Sequence, residues 1–156
     1  MSYPLDEFLL PMNASSTKKL DKLSDILNSP EYIAEEKIDG SRYLSIGGRF
    51  FSRRISDVTG EPVEKTDRVP HLHEILKELP ELILDGEIYQ YKGNSNDVTS
   101  IMGSDPSRAV ELQEERGKLS YIVFDVLRTH EGEWITDLPW NSRRSYLESI
   151  VEYIFS

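Results

Sequence analysis

The 156-residue sequence contains no cysteine. That excludes a disulfide scaffold and any thiolate metal site, and it is compatible with a reducing compartment, read here as the cytoplasm of a bacterium or of a virus-infected host cell. Histidine is scarce, at three residues. His71 and His73 stand two apart with no further ligand type evident nearby, so both are read as solvated side chains rather than metal ligands, and His130 is assigned no role. No run of about 18 apolar residues occurs, which argues against a membrane helix. The segment from Met1 to Met12 carries Asp6 and Glu7 and no basic residue, so it does not read as a signal peptide. Net positive charge is also lacking. Eighteen basic residues against 28 acidic ones give −10, which at face value argues against a nucleic-acid binder.

What is present is a single-domain length with 38% hydrophobic residues, enough to bury one core. The charge is unevenly spread. Between Lys37 and Arg54 there are five basic residues (Lys37, Arg42, Arg49, Arg53 and Arg54) and one acid, Asp39, a local charge of +4. Alone, this window reads as an ordinary solvated strand pair. The run from Glu111 to Glu115 reads as a solvated helix face, and Trp134 and Trp140 as packing residues beside a loop.

Periodicity and turn residues divide the chain. A helix is predicted after the N-cap Ser16, with Leu20, Leu23, Ile26 and Leu27 on one face and a stop at Asn28-Ser29-Pro30. Strands are predicted over Tyr32–Ile38, Arg42–Ile46 and Arg49–Arg53, joined by Asp39-Gly40 and Gly47-Gly48 turns. Ser56–Val69 reads as loop. Pro70–Leu79 reads as a helix with Leu72, Ile75, Leu76 and Leu79 inward, and Leu82–Tyr89 as a strand interrupted by Asp85-Gly86. Gly93–Gly103 has the content of a surface loop. Helices over Ser107–Arg116 and Pro139–Phe155 flank a buried strand over Leu119–Leu127; the stripe of the last helix is Tyr146, Leu147, Ile150, Val151 and Ile154. The fold class that follows is α+β, with a largely antiparallel sheet and flanking helices.

The stretch Lys37-Ile38-Asp39-Gly40-Ser41-Arg42 carries chemistry. A lysine at a strand end before a tight turn can hold its amine in a cleft. Cations near a lysine favour the neutral, nucleophilic amine, and arginines bind phosphate oxygens bidentately. That combination suits attack on a phosphoryl centre.

K-I-D-G-S-R resembles motif I of the covalent nucleotidyltransferases, which comprise ATP-dependent DNA ligases, RNA ligases and mRNA capping enzymes. Further pieces follow in the family's order. Phe51-Ser52-Arg53-Arg54 resembles motif Ia, with Thr59-Gly60 matching the ligase version of the following loop. Leu84 to Tyr89 resembles motif III, and Ile122 to Leu127 resembles motif IIIa. Leu138-Pro139 before a helix with Arg143 and Arg144, and Pro11-Met12 near the start, also resemble ligase segments.

The resemblance implies an ATP-grasp-like adenylation domain, partial here, carrying motifs I, Ia, III and IIIa over 1–156, with motifs IV and V and an oligonucleotide-binding-fold domain absent. It implies that Lys37 attacks the α-phosphate of ATP to form lysyl-AMP. Glu35 would read the adenine amino group, and Asp39 and Gly40 would shape the turn. Arg42 and Arg53 would hold sugar and phosphates, and then the 5′-phosphate of nicked duplex DNA, with Arg54 beside them on the nucleic acid. Glu87 would contact the ribose and help hold Mg²⁺. Phe124 would stack on adenine, with Asp125 as its neighbour in the motif. An RNA ligase or capping-type enzyme stays open because Ser41 after the motif glycine also occurs in RNA-ligase-like versions; Glu35 counts against GTP. A non-catalytic fragment binding nucleotide, nucleic acid or a partner chain is the alternative of another class. Half of an antiparallel sheet leaves an open edge, so a complementing chain or self-association is expected there.

Overall fold

The structure, a computed structural model, describes residues 2–12, 24 and 28–156. The helix predicted after Ser16, with its apolar positions Leu20, Leu23, Ile26 and Leu27, lies outside the described residues. Among the described residues five strands form one antiparallel sheet: β1 (Ser41–Ile46), β2 (Arg49–Ile55), β3 (Pro62–Glu64), β4 (Ile83–Tyr89) and β5 (Ser120–Arg128), in the spatial order β3-β2-β1-β4-β5. Among the described residues four helices accompany it: α1 (Pro70–Leu76), α2 (Ser95–Met102), α3 (Pro106–Arg116) and α4 (Trp140–Ile154). The α+β class and the antiparallel sheet expected from the sequence are present.

Strand alternation sends side chains to two faces. On one, Tyr43, Phe50, Leu84, Ile88 and Val126 meet Leu76 of α1, Val98 and Ile101 of α2, Leu112 of α3, and Leu147 and Ile150 of α4, forming the main core. On the other, Ile46, Phe51 and Ile83 are covered by Tyr3, Leu5 and Leu9 of the N-terminal segment. Tyr3 packs edge-on against Phe51 at 5.0 Å between ring centres. Both faces of β1 are thereby covered, which is why Tyr43 to Ile46 are all buried rather than alternating.

Four predicted segments differ from the structure. Tyr32–Ile38 is not a strand; it runs as irregular backbone, and Tyr32 and Ile33 are more than half exposed. β1, into which it leads, has β2 on one edge and β4 on the other, so the segment cannot pair beside β1; it passes near β5 instead, where its residues share a cavity with Ile122, Val123 and Phe124. Within 56–69, read as loop, the short edge strand β3 and a 3-10 turn over Thr66–Arg68 are present. Gly93–Gly103, also read as loop, contains α2. Its N-terminus is closed by a reciprocal cap in which the Asp97 backbone N–H donates to Asn94 Oδ1 (3.1 Å) and the Asn94 N–H donates to Asp97 Oδ2 (2.8 Å). The Asp85-Gly86 pair does not interrupt its strand but lies inside β4.

Other side chains also sit differently from the expectation. His71 and His73 are half-buried tethers rather than solvated groups: His71 Nε2 lies 2.7 Å from the Leu119 carbonyl oxygen and His73 Nδ1 3.0 Å from that of Gly48. Of the expected stripe on α1, Leu76 is buried, Leu72 is partly buried and Ile75 is exposed. The acidic stretch of α3 has exposed Glu111, Glu114 and Glu115, but Gln113 is buried, with its amide nitrogen donating to the Arg68 carbonyl at 2.6 Å.

Candidate active site

The turn that carries the motif lysine is pressed against β4. A Cβ at Gly40 would stand 2.1 Å from the Ile88 carbonyl oxygen and 3.1 Å from Glu87 Cγ, so only glycine admits this approach. The second Asp-Gly pair is equally confined. A Cβ at Gly86 would lie 2.3 Å from the Ile122 carbonyl oxygen and 2.9 Å from the Tyr121 ring. That ring fills the space, and its hydroxyl donates to the Tyr43 carbonyl at 2.8 Å, pinning β5 across β4 to β1. The two glycines therefore draw three strands together around the residues between them.

Across β4 and β5, Asp85 stands directly opposite Asp125, and two carboxylates so placed repel unless neutralised. Each has its own arginine. Asp85 is 5% exposed and receives a two-pronged contact from Arg42, Nε to Oδ1 at 3.0 Å and Nη2 to Oδ2 at 2.6 Å. The Met12 carbonyl accepts a third bond from Arg42 Nη1. Asp125 accepts from Arg143 Nε at 2.8 Å, and Arg143 Nη1 donates to the Leu138 carbonyl at 2.5 Å. The hydrogen bond to Asp85 raises the Arg42 pKa further still, burial opposing it, so this guanidinium is permanently charged.

Phe124 sits between these pairs on an irregularity of β5. Asp85 is in register with Asp125 and Gly86 with Val123, which leaves Phe124 as the extra residue of a β-bulge. A bulge re-aims a side chain, and here the ring lies under Arg42, 5.4 Å from guanidinium carbon to ring centre. Two cavities flank it, of about 630 Å³ and about 560 Å³, both within the range of small-molecule sites. Glu35, Phe124 and Trp140 line both. Glu36 and Ile38, either side of the motif lysine, line the larger one, and Arg42, Asp85 and Asp125 line the smaller.

The residues singled out from sequence fall into two groups. Glu35, Arg42, Glu87 and Phe124 gather around the β1–β4–β5 junction. Glu87 is paired in register with Arg42. Burial raises its carboxyl pKa above the usual carboxylate range, with the Gly40 amide and Arg42 opposing and Asp85 and Asp39 adding to the rise. Lys37 is exposed beside the larger cavity without lining it. Arg53 and Arg54 are exposed on β2 and line neither cavity. Arg54 is close enough to Lys65 to add to the lowering of that amine's pKa, after burial and Arg68. Two of the five cations in the basic window are consumed internally: Arg42 by Asp85, and Arg49 by Glu64 at 2.8 Å.

Asp85, Arg143 and Trp140 border or brace the site, a role that the sequence did not assign to them. Trp140 was read as packing but is half-buried on both cavities, whereas Trp134 is 49% exposed with Arg128 over its ring. Asp85 had one legible signal, a carboxylate within an apolar strand, since such a charge must be paired. Its partner was not legible, because Arg42 lies 43 residues away.

Among the described residues no cluster of three or more metal-ligating side chains occurs, and no helix is long and apolar enough to cross a membrane. A single partly buried carboxylate still fits Mg²⁺, which is commonly held by one or two carboxylates together with substrate phosphates rather than by a protein cage.

An antiparallel sheet with flanking helices, and a cleft of small-molecule size beside the Asp39-Gly40 turn, define an α+β domain with a ligand-sized cleft. The family model described as "ATP dependent DNA ligase domain" matches residues 11–155, and the chain belongs to that family. Among curated proteins it is 30% identical over 136 residues to DNA ligase 4 of Candida glabrata, an alignment covering 78% of this chain and 14% of that protein. It is 29% identical over 157 residues to the multifunctional non-homologous end joining protein LigD of Pseudomonas aeruginosa, covering 96% of this chain and 16% of that protein. The chain thus spans about one sixth or less of the length of these relatives. No solved structure matches.

Proposed function

We propose that this chain carries out the self-adenylation step of an ATP-dependent DNA ligase, with Lys37 as nucleophile. The observation that carries the reading is the cavity itself: the residues on either side of Lys37 line the same space as Glu35 and Phe124. The Lys37 amine attacks the α-phosphorus of ATP. A P–N bond forms, the bond to the bridging oxygen breaks, pyrophosphate leaves, and the amine loses a proton to solvent. The AMP then passes to a 5′-phosphate at a nick in duplex DNA, and attack by the 3′-hydroxyl seals the strand and releases AMP.

Phosphoryl transfer of this kind depends on positioning and charge neutralisation. Phe124 stacks on the adenine ring and Glu35 accepts from its amino group. Arg42, already fixed by Asp85, orients Phe124 and presents its outer edge to the sugar and phosphates. Glu87 contacts the ribose and holds Mg²⁺, which supplies charge neutralisation at the phosphates when bound. Arg53 and Arg54, exposed beyond the cavities, meet phosphates of the nucleotide and of the DNA backbone.

Incubating the chain with Mg²⁺ and ATP labelled at the α-phosphate, followed by denaturation, tests this. A covalent adduct on wild type, absent from Lys37→Ala and not formed from labelled GTP, is the expected result. The absence of any adduct after long incubation would overturn it, and an adduct from GTP alone would assign capping-type chemistry instead.

A further inference from the structure

The two cavities beside Phe124 share one aromatic side chain that the adenylation reading does not use, Trp140. It is the first residue of α4, directly after Pro139. Arg143 and Arg144 follow three and four positions later, on the same side of the helix. Arg143 is anchored to Asp125 and to the Leu138 carbonyl, and Arg144 lines the larger cavity. The first turn of α4 is therefore fastened to β5 at the residue next to the Phe124 bulge, with Trp140 facing the same space.

Core aromatics elsewhere in the molecule are satisfied by other rings: Phe50 by Tyr121, and Phe51 by Tyr3. Among the described residues neither Phe124 nor Trp140 has such a partner, although both line the same cavities. Both rings border the same two cavities, so a flat group bound in that space can lie against them. Glu35, the third residue common to both cavities, places a carboxylate acceptor at its border. A planar heterocycle with an exocyclic amino group fits that set of walls.

We propose that Trp140 is a second aromatic wall of the nucleobase slot and that it contributes to base affinity alongside Phe124. The inference rests on the adenylation reading of the same cavity and adds to it a residue that touches the base. Arg143 then acts as a positioning residue, holding the turn that carries the indole.

The chain has two tryptophans, so a Trp134→Phe protein reports on Trp140 alone. Titrating it with AMP, adenosine and ribose 5-phosphate is expected to give saturable quenching of Trp140 emission with the first two and none with the third. Trp140→Leu is expected to weaken AMP binding, measured by equilibrium dialysis, by about tenfold or more, the range of base–aromatic stacking. Trp140→Phe, which keeps a flat ring, is expected to retain most of the affinity. Saturable AMP binding by dialysis with unaltered Trp140 emission would overturn the proposal, as would wild-type affinity in a folded Trp140→Leu protein. If Trp140→Leu fails to fold, the emission titration decides. A Lys37 adduct formed without any response of Trp140 rejects the second wall alone, whereas absence of both nucleotide binding and adduct rejects the adenylation reading as well.

Discussion

At Gly40 a single added methyl group would reach 2.1 Å from the Ile88 carbonyl oxygen, with the backbone of a central strand as the obstacle. A flexible side chain can swing away from such a clash, but β4 is bonded on both edges and cannot. Gly40→Ala is therefore expected to destabilise the fold by about 1–3 kcal/mol, the overpacking range, and to displace the turn bearing Lys37. Urea unfolding and the yield of labelled adduct measure the two effects.

Glu87 lends itself to a pH test. Its folded-state pKa is raised, chiefly by burial, so the folded protein holds this proton more tightly than the unfolded chain does. The resulting contribution to stability is fully present below the unfolded pKa and is lost as pH rises through the folded value. Glu87→Gln removes that titration. Its stability relative to wild type is expected to increase between about pH 4 and pH 7, read from urea midpoints across that window. A constant difference across the window would show that burial of the charge at Glu87 is inconsequential.

Secondary-structure elements separate what local pattern can reveal from what it cannot. β1, β2, β4, β5, α1, α3 and α4 were legible because alternation or helical spacing, bounded by Gly, Pro and Asn, is written into each segment. Helix α2 was missed because Gly93, Asn94, Ser95 and Asn96 suggest a loop, yet Asn94 and Asp97 spell a reciprocal cap ahead of Val98, Ile101 and Met102 at helical spacing. Asn94→Ala is expected to cost about 1 kcal/mol through loss of that cap, measured by urea unfolding. The predicted strand at Tyr32–Ile38 failed for the opposite reason. Its composition suits a strand, but β1 offers it no free edge. The bulge that leaves Phe124 unpaired on β5 was likewise not legible, since a bulge is a relation between two strands rather than a property of one.

At the scale of the whole molecule, the described residues form a sheet covered on both faces, helices on one and residues 3–9 on the other. Phe50 lies fully buried in the larger core, edge-on to Tyr121 at 5.1 Å between ring centres, and so couples β2 to the edge strand β5. Phe50→Ala is expected to cost about 3–5 kcal/mol, a large part of the 5–15 kcal/mol that holds a domain of this size together. Loss of tertiary signal in near-ultraviolet circular dichroism at lower urea than wild type is the corresponding measurement. Charge also changes meaning at this scale. The +4 window reads from sequence as a solvated strand pair, but ion pairs with Asp85 and Glu64 absorb Arg42 and Arg49, leaving Lys37, Arg53 and Arg54 exposed.

Hydrophobic periodicity and turn residues were enough to determine the α+β class, and the order of motifs from Lys37-Ile38-Asp39-Gly40 to Phe124-Asp125 pointed to the covalent nucleotidyltransferases with a DNA ligase first among them, because residue types and spacing are local and survive without coordinates. Only the tertiary structure decided that Arg42 closes on Asp85, that Asp125 takes Arg143, that Phe124 is turned by a bulge, and that Trp140 borders the same space. Each of these depends on which strands become neighbours and in what register. Those neighbours are set by packing between segments tens of residues apart, which a linear pattern does not encode position by position.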